Sequence, residues 1–213
     1  MATAKVTHEM PLDAAIDIAI QLGNIDDKNV PIPYIVGPPG IGKTRLTEAK
    51  VAENGNNAFL ALTPGLERQE KFGGIPDLNY IDVKYKKQNS NEVIEGKELH
   101  TVWSVPEMIS KLRQLAANHK MVYCLLDDWH LAPAPIQAIG FELFTHKQLS
   151  GAKLPSNVRL ILAGNETSAA GAKTQLSAII NRCMVLRCKP DVQYWIDNFA
   201  IPNNIHDAGI SFL

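Results

Sequence analysis

The sequence lacks the long apolar stretches that membrane insertion or export would require. It contains no run that approaches the ~20 consecutive apolar residues of a membrane-spanning helix. Its first residues, MATAKVTHEM, have no apolar segment of the kind found in a secretion signal. We therefore expect the protein to remain in the cytoplasm where it is made, without a membrane partner.

Cysteine is scarce, and its pattern argues against two kinds of covalent or metal stabilisation. The chain holds three cysteines, Cys124, Cys183 and Cys188. The number is odd and there is no CxxC spacing, which argues against a disulfide framework and against a zinc site. Reduced thiols in a cytosolic protein fit this pattern best.

The sequence also lacks an excess of charge of either sign. Its 21 Lys and Arg residues and 22 Asp and Glu residues leave a formal net charge of −1. No general attraction to nucleic acid or to an anionic membrane is therefore expected. One basic cluster, Lys84, Lys86 and Lys87, could contact DNA phosphates, but such clusters are usually only solvated. Nucleic acid is thus the less favoured macromolecular partner.

What the sequence does have is a regular alternation of apolar runs and helical stretches. With 213 residues and 46% apolar composition, the chain can bury the core of one globular domain. PYIVG, NAFLAL, MVYCLL and VRLILAG have the length of buried strands, and helices are expected at residues 11–22, 43–54, 105–118 and 135–145. This order predicts an α/β fold with a parallel sheet, whose ligand site lies at the carboxyl ends of the strands.

Two segments interrupt this alternation. Residues 63–101 are too many for an ordinary connection, which normally runs to ~6 residues, so we expect either a functional role or disorder there. Residues 147–157 contain Ser150-Gly151 and predict a hairpin before the last apolar run.

The segment GPPGIGKT, residues 37–44, fits the phosphate-binding pattern G-x-x-x-x-G-K-[ST] directly between a predicted strand and a predicted helix. Glycines let backbone N–H groups turn inward around phosphates, and the helix N-terminus adds partial positive charge. Lys43 is expected to reach the β and γ phosphates of ATP, and the Thr44 hydroxyl to ligate Mg²⁺. The predicted nucleotide-binding residues are Gly37, Pro38, Pro39, Gly40, Ile41, Gly42, Lys43, Thr44 and Arg45.

Polar residues follow two further predicted strands. MVYCLL ends in Asp127 and Asp128, two adjacent acids that a core strand would not carry unless they pointed into a site. Asp127 is the candidate ligand of Mg²⁺ through water, and Asp128 is the candidate that orients or deprotonates the attacking water. Asn165, after VRLILAG, could sense the γ phosphate and position the same water.

Taken together, GPPGIGKT, LLDDWHLAPAPIQAIGFELF, LPSNVRLILAGN, LSAIINRC and KPDVQYWIDNFA resemble, in order and spacing, the MoxR-like branch of the AAA+ ATPases, in the form found in bacteriophages and bacteria. The resemblance implies a P-loop NTPase fold: an AAA+ core with a central parallel sheet flanked by helices at residues 1–189, then the start of a truncated helical lid at 190–213. It also implies a ring homo-oligomer, commonly hexameric, with ATP at subunit junctions. Arg182 would be the arginine finger acting on a neighbour's ATP, residues 63–101 would hold the pore loop, and the client would be a protein.

Two departures from the family pattern leave alternatives open: the residue at position 128, and the helical lid, of which we expect only the beginning at residues 190–213. Asp128 stands where AAA+ proteins most often have Glu, which retracts the carboxylate by a little over ~1 Å and could slow hydrolysis about 100-fold. An ATP-binding assembly module with little or no hydrolysis is therefore one alternative. A P-loop kinase of a small molecule is another, but it would need an arginine-rich lid, and the sequence offers no such cluster.

Overall fold

The computed structural model describes residues 9–25, 30–88, 92–165, 177–202 and 204. The strands within these residues are β1 (Glu9–Pro11), β2 (Ile32–Val36), β3 (Asn57–Leu62), β4 (Pro76–Lys86), β5 (Val93–Trp103), β6 (Met121–Leu126), β7 (Gln148–Leu149), β8 (Ala152–Lys153), β9 (Val158–Gly164) and β10 (Cys183–Lys189). The α-helices are α1 (Leu12–Gly23), α2 (Lys43–Ala52), α3 (Gln69–Gly73), α4 (Glu107–Asn118), α5 (Ala134–His146), α6 (Ser177–Ile180) and α7 (Val192–Trp195). A 3₁₀ turn covers Trp129–Leu131 and a π-helical turn covers Ile196–Ala200.

Six of the strands form one parallel sheet in the order β1-β10-β2-β9-β6-β3. The predicted parallel α/β sheet is therefore confirmed, and the four apolar runs of the sequence are β2, β3, β6 and β9. The carboxyl ends of β2, β6 and β9 lie side by side, because these three neighbouring strands are parallel. The segments that follow these three strands carry the predicted site.

Alternate residues of each strand pack on opposite faces of the sheet, because side chains along a strand point to opposite sides in turn. In β2, Ile35 packs against α1 and α2, whereas Tyr34 and Val36 lie in the cluster that includes α4 and α5. Helix α1 covers its face with apolar residues at helical spacing: Leu12, Ala15, Ile16 and Ala19. The sheet is thus a buried central layer between two layers of helices.

Strand β10 was not predicted from the sequence, and neither was β1. The apolar run of β10, residues 183–186, is only four residues long, and only Leu186 and Cys188 of the strand are buried, so the sequence did not indicate a buried strand here. β10 nevertheless lies between β1 and β2 in the sheet. Its carboxyl end brings the segment after Lys189 close to the loop after β2.

Residues 63–101 contain regular structure rather than a long irregular loop. Helix α3 is followed by an antiparallel hairpin of two 11-residue strands, β4 and β5, in which Pro76 pairs with Trp103 and Lys86 with Val93. Every hairpin residue outside the turn is exposed except Val83 and Val102, which are half-buried. Phe72 is 1% exposed and packs in the core, so its side chain is not available to contact a client.

The predicted hairpin within residues 147–157 is confirmed. Strands β7 and β8 pair around Ser150 and Gly151, both of which have positive φ (48° and 77°). Residues 190–200 contain α7 and the π-helical turn, whereas 203 and 205–213 of the predicted lid lie outside the described residues. No helix in the described part of the chain is long and apolar enough to cross a membrane.

Candidate functional site

The loop after β2 has the backbone geometry of a phosphate cradle. Gly40 and Gly42 adopt φ of 79° and 90°, a left-handed region that residues with a Cβ rarely enter. A Cβ on either glycine would have no other atom within 4 Å, so the protein leaves open the space beside both positions. Helix α2 begins at Lys43, directly after Gly42, which places a helix N-terminus behind the loop. This arrangement fits a bound polyphosphate.

Lys43 is buried at the centre of the site, with only 7% of its surface exposed. Its Nζ donates hydrogen bonds to the carbonyl oxygens of Gly37 (3.1 Å) and Pro38 (2.9 Å) and to Oδ1 of Asn165 (2.9 Å). Burial lowers the pKa of Lys43, while the charges of Asp127 and Asp128 act to raise it. The ammonium group is therefore held in a partly desolvated position beside two acids and a strand-end amide.

Thr44 and Asp127 are in direct contact. The Thr44 hydroxyl donates a hydrogen bond to Oδ2 of Asp127, and Oδ1 of Asp127 accepts the backbone N–H of Asp128 at 2.9 Å. The backbone N–H of Asp127 donates to the Leu62 carbonyl at 2.7 Å, which fixes the end of β6 against the end of β3. A hydroxyl and a carboxylate are oxygen ligands of the kind that Mg²⁺ takes. These two side chains could hold Mg²⁺ beside the loop.

Asp128 adopts a left-handed backbone conformation, with φ of 49° and ψ of 37°, immediately after the strand end. Asp is one of the few residues that tolerate this conformation. Its side chain is 40% exposed, so it is accessible to a water molecule, and its Oδ1 lies 4.0 Å from Nδ1 of His130. The turn at Asp128 also directs the next two side chains, Trp129 and His130, into the protein interior.

His130 belongs to this site but was not predicted from the sequence. It is 2% exposed, and its Nδ1 accepts a hydrogen bond from the backbone N–H of Asn165 at 3.3 Å. Burial lowers the pKa of His130, and the charge of Asp128 acts in the opposite direction. The sequence signal was present as LLDDWH, but the partner of His130 is 35 residues further along the chain.

Arg182 is the one predicted catalytic residue that lies away from this cluster. It precedes β10, and its carbonyl accepts the backbone N–H of Ile32, the first residue of β2, at 3.1 Å. The five residues of β2 separate it from Gly37, a distance of roughly 16 Å along the strand. The guanidinium lies 4.6 Å from the ring centroid of Phe141 in α5. Arg182 therefore lies at the amino ends of the strands, whereas the phosphate loop of the same chain lies at their carboxyl ends.

A cavity of about 700 Å³ adjoins the phosphate loop and was not predicted from the sequence. Its walls come from the start of α1, the loop, the first turns of α2 and the segment after β10. Arg45, a predicted nucleotide-binding residue, lines the cavity and forms an exposed ion pair with Glu48 at 3.4 Å. The residues that line the cavity at the end of β10 and after it are Lys189, Pro190, Asp191, Tyr194 and Trp195. A volume of this size is that of a small-molecule site.

Helix α1 is fixed to α2 beside this cavity by an ion pair. Lys50 Nζ lies 2.7 Å from Oδ1 of Asp17, and the Lys50 side chain is 17% exposed. This contact raises the pKa of Lys50. Another cavity, between α3 and α4, has a volume of about 30 Å³ and is too small for a nucleotide.

No protein-family model and no curated protein matches this sequence. Solved structures do match it, among them a protein described as a "putative ATPase" from Cytophaga hutchinsonii and a point mutant of RuvB from Thermotoga maritima. The first is 15% identical with a TM-score of 0.50 and matches over 90% of this chain; the second is 10% identical with a TM-score of 0.51 over 93%. In both cases the chain spans 53% of the matched protein. Together with the phosphate loop and the six-stranded parallel sheet, these similarities show that the chain has the α/β fold of the AAA+ P-loop ATPases.

Proposed function

We propose that the protein binds Mg·ATP at the loop of residues 37–45 and hydrolyses it. The observation that carries this proposal is the convergence of three strand ends: Lys43 contacts Asn165, and Thr44 contacts Asp127. The fold of the two solved relatives supports nucleotide binding, and the cavity of about 700 Å³ provides space for the nucleoside part of ATP.

Each side chain of the cluster has a role that its position supports. Lys43 would bind the β and γ phosphates, and the backbone N–H groups around Gly40 and Gly42 would surround them. Thr44 and Asp127 would hold Mg²⁺, which when bound neutralises developing phosphate charge. Asp128, partly exposed, would orient the attacking water, and Asn165 would orient the γ phosphate through its side-chain amide. Arg45 would contact the nucleotide from the cavity wall.

Arg182 would complete the reaction from a neighbouring subunit. Its position at the far edge of the sheet prevents it from reaching its own phosphate loop without a change of fold. A ring homo-oligomer, which we expect to be a hexamer of the MoxR-like type, would place this edge against the next subunit's nucleotide. Hydrolysis would then depend on assembly. Residues 190–213 would form the beginning of a lid, of which Pro190, Asp191, Tyr194 and Trp195 line the cavity.

Replacing Asp128 distinguishes an active ATPase from a scaffold that binds ATP without hydrolysing it. Replacing Asp128 by Glu extends the carboxylate toward the water by a little over ~1 Å, and we expect kcat to rise about 10- to 100-fold because misplacement of this order costs about that factor. Phosphate release by the natural protein and by Asp128→Glu measures this directly. Tight ATP binding with no detectable turnover in either protein would instead favour the scaffold, and transfer of labelled γ phosphate to an acceptor would indicate a kinase.

The β4–β5 hairpin is the surface that we propose for contact with a protein client. On one face, near its base, Leu78, Tyr80, Leu99 and Trp103 are all between 48% and 72% exposed, whereas the outer half of this face carries the ion pairs Lys84–Glu95 and Lys97–Asp82. An isolated two-stranded hairpin is marginally stable in water, so an exposed apolar face of this kind favours a binding role. The charge balance of the chain favours a protein over nucleic acid, and the cytoplasm is the compartment that we propose.

Shortening the hairpin tests whether nucleotide binding is independent of it. Residues 79–100 can be replaced by Asn-Gly, a turn that keeps the Leu78–Thr101 pair at the base. We expect ATP affinity to stay within about twofold, because the hairpin contributes no residue to the cavity or to the phosphate loop. Titration with a fluorescent ATP analogue measures this, and a large loss of affinity would contradict the assignment of the hairpin to a separate, client-facing role.

A further inference from the structure

His130 connects two of the strand ends that form the nucleotide site. It lies in the 3₁₀ turn that follows Asp127 and Asp128 at the end of β6, and it contacts Asn165 at the end of β9. It is one of four buried polar or charged side chains in the described part of the chain, at 2% exposure. Burying an imidazole without a hydrogen bond costs free energy, so the hydrogen bond with Asn165 stabilises His130 in its buried position.

The direction of the hydrogen bond determines the state of the imidazole. The backbone N–H of Asn165 can only donate, so Nδ1 of His130 is the acceptor, at 3.3 Å. In a neutral imidazole one nitrogen accepts and the other carries the proton. The proton is therefore on Nε2.

The imidazole also packs closely against the last residue of β9. A Cβ placed on Gly164 would lie 3.2 Å from Nδ1 of His130 and 2.6 Å from the hydroxyl of Tyr34. Both groups therefore lie close to Gly164 on the side that a Cβ would occupy, directly before Asn165 in the chain.

The side chain of Asn165 depends on this backbone position for its own contact. Its Oδ1 accepts a hydrogen bond from Lys43 Nζ at 2.9 Å, while its backbone N–H donates to His130. Asp128 Oδ1 lies 4.0 Å from the same Nδ1. The His130 imidazole therefore lies next to both Asp128, which we propose orients water, and the backbone of Asn165, whose side-chain amide we propose orients the γ phosphate.

We propose that His130 is a positioning residue: by accepting the Asn165 N–H at Nδ1, it fixes the Asn165 amide relative to Lys43 and to the phosphate that Lys43 binds. This inference rests on the proposed ATPase function for its kinetic consequence. Its structural content, the contact and the tautomer, is independent of that function.

Three substitutions separate positioning from simple packing. In His130→Asn the side-chain oxygen can take the place of Nδ1, in His130→Gln the same amide is one methylene further out, and in His130→Leu no acceptor remains. We expect His130→Leu to lower kcat about 10- to 100-fold, with KM within about threefold, because a misplaced amide acts on the reaction more than on binding. We expect His130→Asn to recover most of the kcat and His130→Gln much less. Equal kcat in the Asn and Leu variants, or an unchanged kcat in the Leu variant, would overturn the proposal.

A double-mutant cycle with Asn165→Ala tests whether His130 acts through Asn165. If it does, His130→Leu should lower kcat by less than about threefold once Asn165 is already Ala, so the two effects should be strongly non-additive. Independent, additive effects would show that His130 acts by another route. Thermal melting of each variant identifies any that fail to fold, and the Asn and Gln variants then carry the comparison.

The tautomer provides a readout that needs no hydrolysis. Long-range ¹H–¹⁵N NMR spectra of the natural protein should show His130 as the neutral form protonated on Nε2. Protonation on Nδ1 would overturn the inference even if the protein is an active ATPase. If the natural protein does not hydrolyse ATP, the proposed enzymatic function fails while this spectrum still decides the contact.

Discussion

Replacing Lys43 by Ala is expected to abolish ATP binding or nearly so. The ammonium group is 7% exposed and lies among the carbonyls of Gly37 and Pro38 and the amide of Asn165, at the inner side of the phosphate loop. Hydrogen bonds to charged groups contribute about 1.5 to 3 kcal/mol each, so the loss of contacts to two phosphates weakens affinity roughly 10²- to 10⁴-fold. Isothermal titration calorimetry with ATP and Mg²⁺ measures the change.

Lys111→Ala is a suitable control for this substitution. Lys111 is a half-exposed lysine of α4 that pairs with Glu107 at 2.7 Å, on the opposite face of the sheet from α2. Its removal deletes the same charge without altering the phosphate loop, and it should leave ATP affinity unchanged. An unchanged affinity in Lys43→Ala as well would remove the assignment of the nucleotide site.

Replacing Arg182 by Ala is expected to leave ATP binding intact and to lower kcat by roughly 10³- to 10⁵-fold. An arginine finger contributes a factor of this size, equivalent to about 4 to 7 kcal/mol of transition-state stabilisation. The binding site should be unaffected, because Arg182 lies beside Phe141 at the amino ends of the strands. Steady-state phosphate release, at concentrations where native mass spectrometry detects the ATP-dependent oligomer, measures the effect.

Mixing two inactive variants tests the proposed action between subunits. A pocket on an Arg182→Ala subunit retains Lys43, and a neighbouring Lys43→Ala subunit retains Arg182, so mixed rings should recover part of the activity. If mixed rings form and no activity returns, Arg182 does not act on a neighbour's nucleotide. Activity of Arg182→Ala alone at the natural rate would exclude any catalytic role for this residue.

The sequence correctly predicted those strands in which nearly all side chains are buried. β2, β6 and β9 are buried on both faces, so each appears as a continuous apolar run. β10 begins with an apolar run of only four residues, 183–186, and a run this short does not by itself distinguish a strand from a helix. The β4–β5 hairpin is exposed on both faces, so its alternation marks no core and was taken as a long connection.

Some residues of the candidate site were predicted from local sequence patterns, and others were not. The phosphate loop and the acids after β6 are local patterns, and the structure brings Thr44 and Asp127 into contact. His130 and the cavity depend on segments that are distant along the chain: His130 meets Asn165 across two strand ends, and the cavity needs Tyr194 and Trp195. Chain distance, rather than weak chemistry, is the reason that the sequence did not indicate them.

The strand order constrains when the nucleotide site can form during folding. β2, which precedes the phosphate loop, has β9 and β10 as its two neighbours in the sheet, and Tyr34 pairs with both Leu162 and Val185. Both neighbours come from the last third of the sequence, so β2 has no strand to pair with until most of the polypeptide has been synthesised. Non-local pairing of this kind slows folding and leaves apolar strands open to aggregation in the meantime.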